Sequence, residues 1–388
     1  MKRAAITFPG PDGSSGIERL KEKTMRLWTA TLSAVILAGT AAAQDDKPAI
    51  DVVFCIDCSG SMQGIIDTAK RKVWDIVNEI AKARPMPKLR IGMIGYGNAD
   101  GEQRFFEMTE NLDDVYKNLM TFQANMGGAE WVGHVVKTAT EKMKWASGKQ
   151  ALKIIFVAGN ETAKQGTPEL LYNVTVPEAI KAGIMVNAIY CGQPSAEEEA
   201  TWKEVAKLAD GLYTAIDQSG GAVSIETPFD KELAELTSKV NTTYVPYGSK
   251  GQEQKENQVA QDANSMANGG YANMASRAQC KNWGGYNCKT WDLVDASKEK
   301  DFKLEEVKKE ELPKEMQEMT LEEKKAYVEA KAKERDEIQK KVTDLSKKRD
   351  TYVGEELKKL GSSQEKAFDE VVRRAVRTQA ATRNFQFE

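Results

Sequence analysis

Residues 51–62 read Asp-Val-Val-Phe-Cys-Ile-Asp-Cys-Ser-Gly-Ser-Met, and no other stretch restricts the fold as much. The apolar run before Asp57 does not alternate with polar residues. It therefore reads as a strand buried on both faces, as in parallel sheets flanked by helices. The run stops at Asp57, Ser59 and Ser61. From Met62 to Arg84, residues Ile66, Ala69, Val73, Ile76, Val77 and Ile80 fall on one helical face. A carboxylate and two hydroxyls, spaced two apart, thus sit on a tight turn between a parallel strand and a helix. Ligand sites of open α/β sheets are built at this carboxyl edge. Three hard oxygen donors on one turn suit a hard divalent cation such as Mg²⁺. In the competing reading Asp57 caps the helix and the serines satisfy loop backbone.

The pattern continues downstream. Leu89–Tyr96, Arg104–Thr109, Leu152–Val157, Ile184–Tyr190 and Leu212–Ile216 read as strands, with Arg104–Thr109 at an edge. Leu112–Phe122, Val132–Trp145, Glu197–Ala209 and Asp230–Val240 read as helices. The alternation predicts a Rossmann-like α/β fold, a doubly wound, mostly parallel six-stranded sheet, followed by an α-helical C-terminal region.

Asp57-x-Ser59-x-Ser61, after a hydrophobic strand and before an amphipathic helix, resembles the metal-ion-dependent adhesion site of von Willebrand factor type A domains. The wording Ser59-Gly60-Ser61-Met62 is common in that family. The resemblance covers residues 48–247. It implies the strand order 3-2-1-4-5-6 with strand 3 antiparallel. It also implies a Mg²⁺ ion (or Mn²⁺ or Ca²⁺) held from three loops and completed by an acidic residue of a protein partner. The first loop is complete at Asp57, Ser59 and Ser61. The second usually supplies a threonine; here it aligns with Gly127-Gly128-Ala129-Glu130, so Glu130 is the substitute donor. The third usually supplies an aspartate; here it reads Ala158-Gly159-Asn160-Glu161, which offers the Asn160 amide oxygen or the Glu161 carboxylate.

Composition narrows the function. A net charge of −3 and a pI near 5.7, with no basic stripe, argue against a nucleic-acid partner. The single histidine, His134, argues against a His-rich zinc site and most His-dependent catalysis. Neither it nor Trp131 is assigned a role. An Asp at the end of a first strand is also where phosphoryl-transfer hydrolases place a nucleophile. No second acidic residue stands two positions after Asp57, however, and a Gly-rich phosphate loop with Lys is missing. The reading is therefore a non-enzymatic, metal-dependent, adhesion-type binding protein. Its alternatives are a cell-envelope scaffold with a degenerate metal site that binds through its helical tail, and a metal-dependent hydrolase.

Residues 25–43 have a short basic start, an apolar stretch and a small-residue end at Ala41 and Ala43, as in a secretory signal peptide. This predicts a bacterial exported protein, periplasmic or extracellular, starting at Gln44 and without a stable membrane anchor. Residues 1–24 read as a non-native extension, with translation starting at Met25.

The 388-residue chain divides further. Residues 248–297 read as a linker with helical stretches and a disulfide loop, Cys280–Cys288. With five cysteines at least one thiol is unpaired, and Cys58 with Cys191 is the other pair to test. Residues 298–388 read as a charged helical region, with capping boxes at Thr320–Glu323 and Ser362–Glu365. Ile338, Val342, Leu345 and Tyr352 form a seam that Lys324, Lys331, Arg335 and Arg349 interrupt. That weakens a coiled coil and favours a long solvated helix laid by one narrow face on a neighbour, though helix-mediated association is allowed. Phe385 and Phe387 either dock on a groove or fray.

Overall fold

The computed structural model describes residues 48–98, 103–148, 150–219, 224–360 and 367–387. The signal peptide and the N-terminal extension expected from the sequence lie outside these residues.

Strand β1 (Ala49–Asp57) is buried along nearly its whole length. Its side chains alternate between two cores. Ile50, Val52, Phe54 and Ile56 enter one and Val53 and Cys55 the other. Each fully buried Ile, Val or Phe contributes about 1.5–3 kcal/mol. A strand with no polar face therefore has to lie at the centre of the sheet. It pairs in parallel with β3 (Lys88–Tyr96) on one side and β5 (Leu152–Gly159) on the other. Beyond these lie β4 (Arg104–Thr109), antiparallel to β3, and β6 (Met185–Cys191) and β7 (Tyr213–Ile216), both parallel. The order is β4-β3-β1-β5-β6-β7. Leaving out the two-residue β2 (Ala83–Arg84), this is the expected 3-2-1-4-5-6 order with the antiparallel strand at an edge.

Helices α1 (Gln63–Ala81) and α2 (Leu112–Met120) cover one face. Helices α3 (Val132–Lys142), α4 (Tyr172–Lys181) and α5 (Ala196–Leu208) cover the other. No helix is expected from the sequence at α4, which carries Pro177 in its interior. Burial of Tyr172, Thr175, Val176 and Ala179 outweighs that proline's lost hydrogen bond.

The C-terminal third is packed onto this body, and all the described residues belong to one compact unit, Asp46–Glu388. Where a linker with helical stretches is expected, α7 (Gly251–Lys281) is a 31-residue helix kinked at Gly269 and Gly270. It lies on α1 and α6 (Asp230–Asn241). Its polar composition misleads because the polar residues are buried with partners. Ser265 accepts from Trp74 Nε1 at 2.9 Å, and the Ser276 carbonyl accepts from Asn78 Nδ2 at 2.7 Å. Arg277, fully buried, bonds Asp262 and Asp113 and lies over the Trp74 ring.

After the short α8 (Leu293–Ala296), the 40-residue α9 (Leu321–Leu360) starts at the expected Thr320–Glu323 capping box. The second expected box, at Ser362, lies outside the described residues. Along α9, Val328, Arg335, Val342 and Arg349 are buried at seven-residue spacing, which corrects the reading that the arginines interrupt the seam. Arg335 bonds Asp292 at 2.7 Å and Asp295 at 3.1 Å, and Arg349 bonds Asp230 at 2.8 Å. The contact face is narrow, as expected, but it is half ionic.

Helix α10 (Phe368–Ala381) then returns to the sheet, burying Phe368, Val371, Val372, Ala375, Val376 and Ala380 beside α1. Phe385 docks in the same core, and β8 (Gln386–Phe387) pairs with β2. The terminus is therefore docked rather than frayed.

All five cysteines are free and buried, so neither Cys280–Cys288 nor Cys58–Cys191 forms a bridge. Cys58, Cys191, Cys280 and Cys288 all belong to the same apolar core cluster, acting as small hydrophobes.

Candidate functional site

The site lies at the carboxyl edge of the sheet, where β1, β3 and β5 end. Cys58 N–H donates to the Tyr96 carbonyl at 2.7 Å, continuing the β1–β3 ladder one residue past Asp57. The chain then turns through Ser59, whose N–H donates to Asp57 Oδ1 at 2.7 Å. No side chain caps α1 or the short 3₁₀ turn Gly60–Met62 before it, so the helix-capping alternative for Asp57 is not realised.

Two neighbours shape the turn. Gly97, at φ +106°, leaves room for Asp57; a Cβ there would stand 2.7 Å from Asp57 Oδ1. Gly159, at the end of β5, makes similar room for the Tyr96 hydroxyl, which donates to the Ala158 carbonyl at 3.0 Å.

The second loop is tied to the first by Met126 N–H, which donates to the Cys58 carbonyl at 2.9 Å. It carries Glu130, whose own N–H donates to Gln165 Oε1 at 2.9 Å. The third loop is held by two aromatic donors. Tyr190 OH reaches the Asn160 carbonyl at 2.8 Å, and Trp202 Nε1 reaches that of Glu161 at 2.7 Å.

These ties bring most of the sequence-predicted residues together. Ser59 Oγ and Ser61 Oγ are 3.3 Å apart, and Asn160 Nδ2 donates to Ser61 Oγ at 2.7 Å. The Asp57 and Glu130 carboxyls lie within hydrogen-bonding reach of each other. Glu161 stands apart: its side chain is exposed and acts on the pair only through its charge. Gln218, missed from the sequence, donates to the Ser61 carbonyl at 3.3 Å. Gly97 and Gln165 were also missed. Only the Tyr-Gly ending of β3 offered a signal for the first, and nothing local distinguishes the other two residues.

Asp57 is fully buried and Glu130 is 7% exposed. Burial, followed by the neighbouring Asp57, pushes the Glu130 carboxyl up to about 9. Burial also raises Asp57, although its bonds to Glu130 and Ser59 oppose that rise. Asp57 Oδ2, Glu130 Oε2 and Asn160 Oδ1 are buried acceptors without a hydrogen-bond donor. Three orphaned oxygens from three loops are the polar groups that a cation would satisfy. Among the described residues no three His, Cys, Asp or Glu side chains form a metal-binding group. The donor set here instead mixes two carboxylates with two hydroxyls and an amide, and all five groups offer hard oxygen, as Mg²⁺ requires. The residues present therefore fit a hard divalent ion.

Neither Cys58 nor His134 is activated. Burial pushes the Cys58 thiol up to about 12, and its Sγ is turned to the Ile56 carbonyl. His134 packs near Trp131, with ring centroids 6.1 Å apart, and burial lowers its pKa.

Comparison with protein families matches residues 51–211 to the von Willebrand factor type A domain. A search of curated proteins finds no match. Several solved structures are similar. The conserved hypothetical protein BatB from Bacteroides thetaiotaomicron is 18% identical with a TM-score of 0.35, covering 44% of this chain and 91% of its own. An aerotolerance-related membrane protein from Bacteroides fragilis is 18% identical with a TM-score of 0.32, covering 44% and 93%. Proximal thread matrix protein 1 from the mussel byssus, in a form with a zinc-occupied MIDAS motif, is 15% identical with a TM-score of 0.35, covering 44% and 42%.

Proposed function

Residues 51–211 of this chain are a von Willebrand factor type A domain, and from that premise we propose a metal-dependent binding protein that is exported and captures a protein partner. Domains of this family mediate protein–protein interactions. The observation that carries the metal dependence is the trio of orphaned buried oxygens on Asp57, Glu130 and Asn160. Asp57, Ser59, Ser61, Glu130 and Asn160 hold the ion, Mg²⁺ or else Mn²⁺ or Ca²⁺, and Glu161 stands at the rim. When bound, the ion supplies a Lewis-acid anchor for an oxygen of the partner. The chain's own residues do the rest. Gly97 admits the Asp57 carboxylate, Gln165 holds the Glu130 backbone, and Tyr190 and Trp202 fix the Asn160–Glu161 loop.

Catalysis is not part of this reading, because Asp57 is fully buried and the Cys58 thiol is held protonated. Export rests on the leader at residues 25–43. Among the described residues no helix is long and apolar enough to cross a membrane. A second reading, a cell-envelope scaffold, draws on α9, whose side opposite the buried Val328, Arg335, Val342 and Arg349 is charged and exposed.

Calorimetric titration of residues 44–388 with Mg²⁺ and Mn²⁺ tests the site. One saturable binding event, lost in Ser59→Ala/Ser61→Ala, is expected. No binding to the wild type would transfer the function to the helical scaffold.

A further inference from the structure

The candidate metal site already holds, within the chain, the two carboxylates whose charge matches a divalent ion. Asp57 and Glu130 are each more than nine-tenths buried, and each keeps an oxygen without a donor. The charges acting most strongly on the pair are its own two members and Glu161, all of one sign. Glu130 is also an unusually well-placed second carboxylate. Its backbone is anchored by Gln165, and its loop is laced to the Asp57 turn through Met126 and Cys58.

Two buried carboxylates neutralise one divalent cation. A third carboxylate, brought by a partner, would leave the centre anionic. It would also stand beside the buried Asp57 and Glu130, where like charges repel far more than in water. We propose that Glu130 is the site's own second carboxylate ligand. On this view it closes the charge balance from within the chain, excludes a partner's carboxylate and leaves the remaining positions on the metal to neutral oxygens. This replaces the acidic partner group that the family resemblance implies, and it rests on the metal-binding reading above.

The test uses residues 44–388 loaded with Mn²⁺, with carboxyl-¹³C acetate as the probe for a partner's carboxylate and ¹⁷O water as the neutral one. Electron–nuclear double resonance reads which of them touches the metal. In the wild type, ¹⁷O coupling is expected to persist at saturating acetate, without ¹³C coupling. In Glu130→Gln, which keeps the size and removes the charge, ¹³C coupling should appear. Glu130→Ala serves the same purpose should the Gln variant fail to fold, as judged by its circular-dichroism melt. Acetate ¹³C coupling in the wild type overturns the proposal and leaves the metal site standing, and so does its absence from both the wild type and a folded variant. Absence of bound Mn²⁺ from the wild type overturns the metal-binding reading itself.

Discussion

Asn187 of β6 and Gln379 of α10 exchange two side-chain hydrogen bonds, at 3.0 and 2.9 Å, joining the last helix of the chain to the sheet. Asn187 Oδ1 also accepts from Leu212 N–H at 2.9 Å, so one buried amide couples the sheet, the turn before β7 and the C-terminus. The tail is thus part of the folding unit of the type A domain. Deleting residues 250–388 would open the core as well as remove a binding tail.

Removing the contents of α10 should therefore unfold the whole protein rather than detach a tail. Phe368→Ala is expected to cost about 3–5 kcal/mol, and Gln379→Leu, which strands the Asn187 amide, about 1–3 kcal/mol. Urea denaturation followed by tryptophan fluorescence should show a single transition moved to lower urea. A lower-urea step confined to a minor part of the signal would mean that α10 is a detachable arm.

Arg335 is the ionic bolt of α9. It is buried between Asp292, Asp295 and Thr243 and lies 3.9 Å from the Tyr244 ring centroid. Arg335→Ala leaves the buried Asp292 carboxylate without its ion pair, Asp295 keeping Lys298, and should cost about 3–5 kcal/mol. Lys303 and Glu306, exposed and 2.7 Å apart, set the contrast: Lys303→Ala should cost about 0–1 kcal/mol. Paired thermal melts decide between a structural and a decorative role for the Arg335 cluster.

The acid pair gives the metal-free protein a pH dependence of definite sign. Glu130 rises from an ordinary 4.5 to about 9 on folding, and Asp57 rises too. The native chain therefore keeps a proton that the unfolded chain releases. This stabilisation is complete below the unfolded value and is lost as pH climbs toward about 9. Chemical denaturation in chelator should show stability falling across that window. Glu130→Gln should flatten the fall, and Mg²⁺ should raise stability most at the alkaline end. An unchanged slope in Glu130→Gln would place the effect elsewhere.

Gly97 is required by the Asp57 carboxylate. A methyl group there meets Asp57 Oδ1 at 2.7 Å and sits at φ +106°. Gly97→Ala should cost about 1–3 kcal/mol of stability and abolish the thermal shift produced by Mg²⁺. A folded Gly97→Ala with wild-type Mg²⁺ affinity would show that Asp57 does not need its observed position.

The five buried thiols make a simple count. Alkylation of the native, unreduced protein should be slow at all of them, and denaturation without reductant should expose five. Three reactive thiols on denaturation would instead indicate one disulfide.

The central strand and the Asp57–Ser61 turn were legible in the linear chain because each is encoded locally, whereas the sheet order came from the family resemblance. An unbroken apolar run dictates burial on both faces, and polar residues at its end dictate the edge where chemistry sits. Glu130, Asn160 and Glu161 were reachable only through the second and third loops that the family resemblance implies. Gly97, Gln165 and Gln218 were not, because a residue that makes room for a carboxylate or holds a loop carries no periodic signal. The C-terminal third was the most misread, and for one physical reason. Gln258, Ser265, Ser276, Arg277, Arg335 and Arg349 look like surface residues in a sequence, since burying them costs free energy unless partners wait inside. Those partners, Asp113, Asp230, Asp292 and Trp74 among them, are distant in the chain. Local patterns of apolar residues were enough to specify a central buried strand, its α/β surroundings and the polar Asp57–Ser61 turn. Which polar residues enter the core depends on who meets them there, and the folded chain alone settles that.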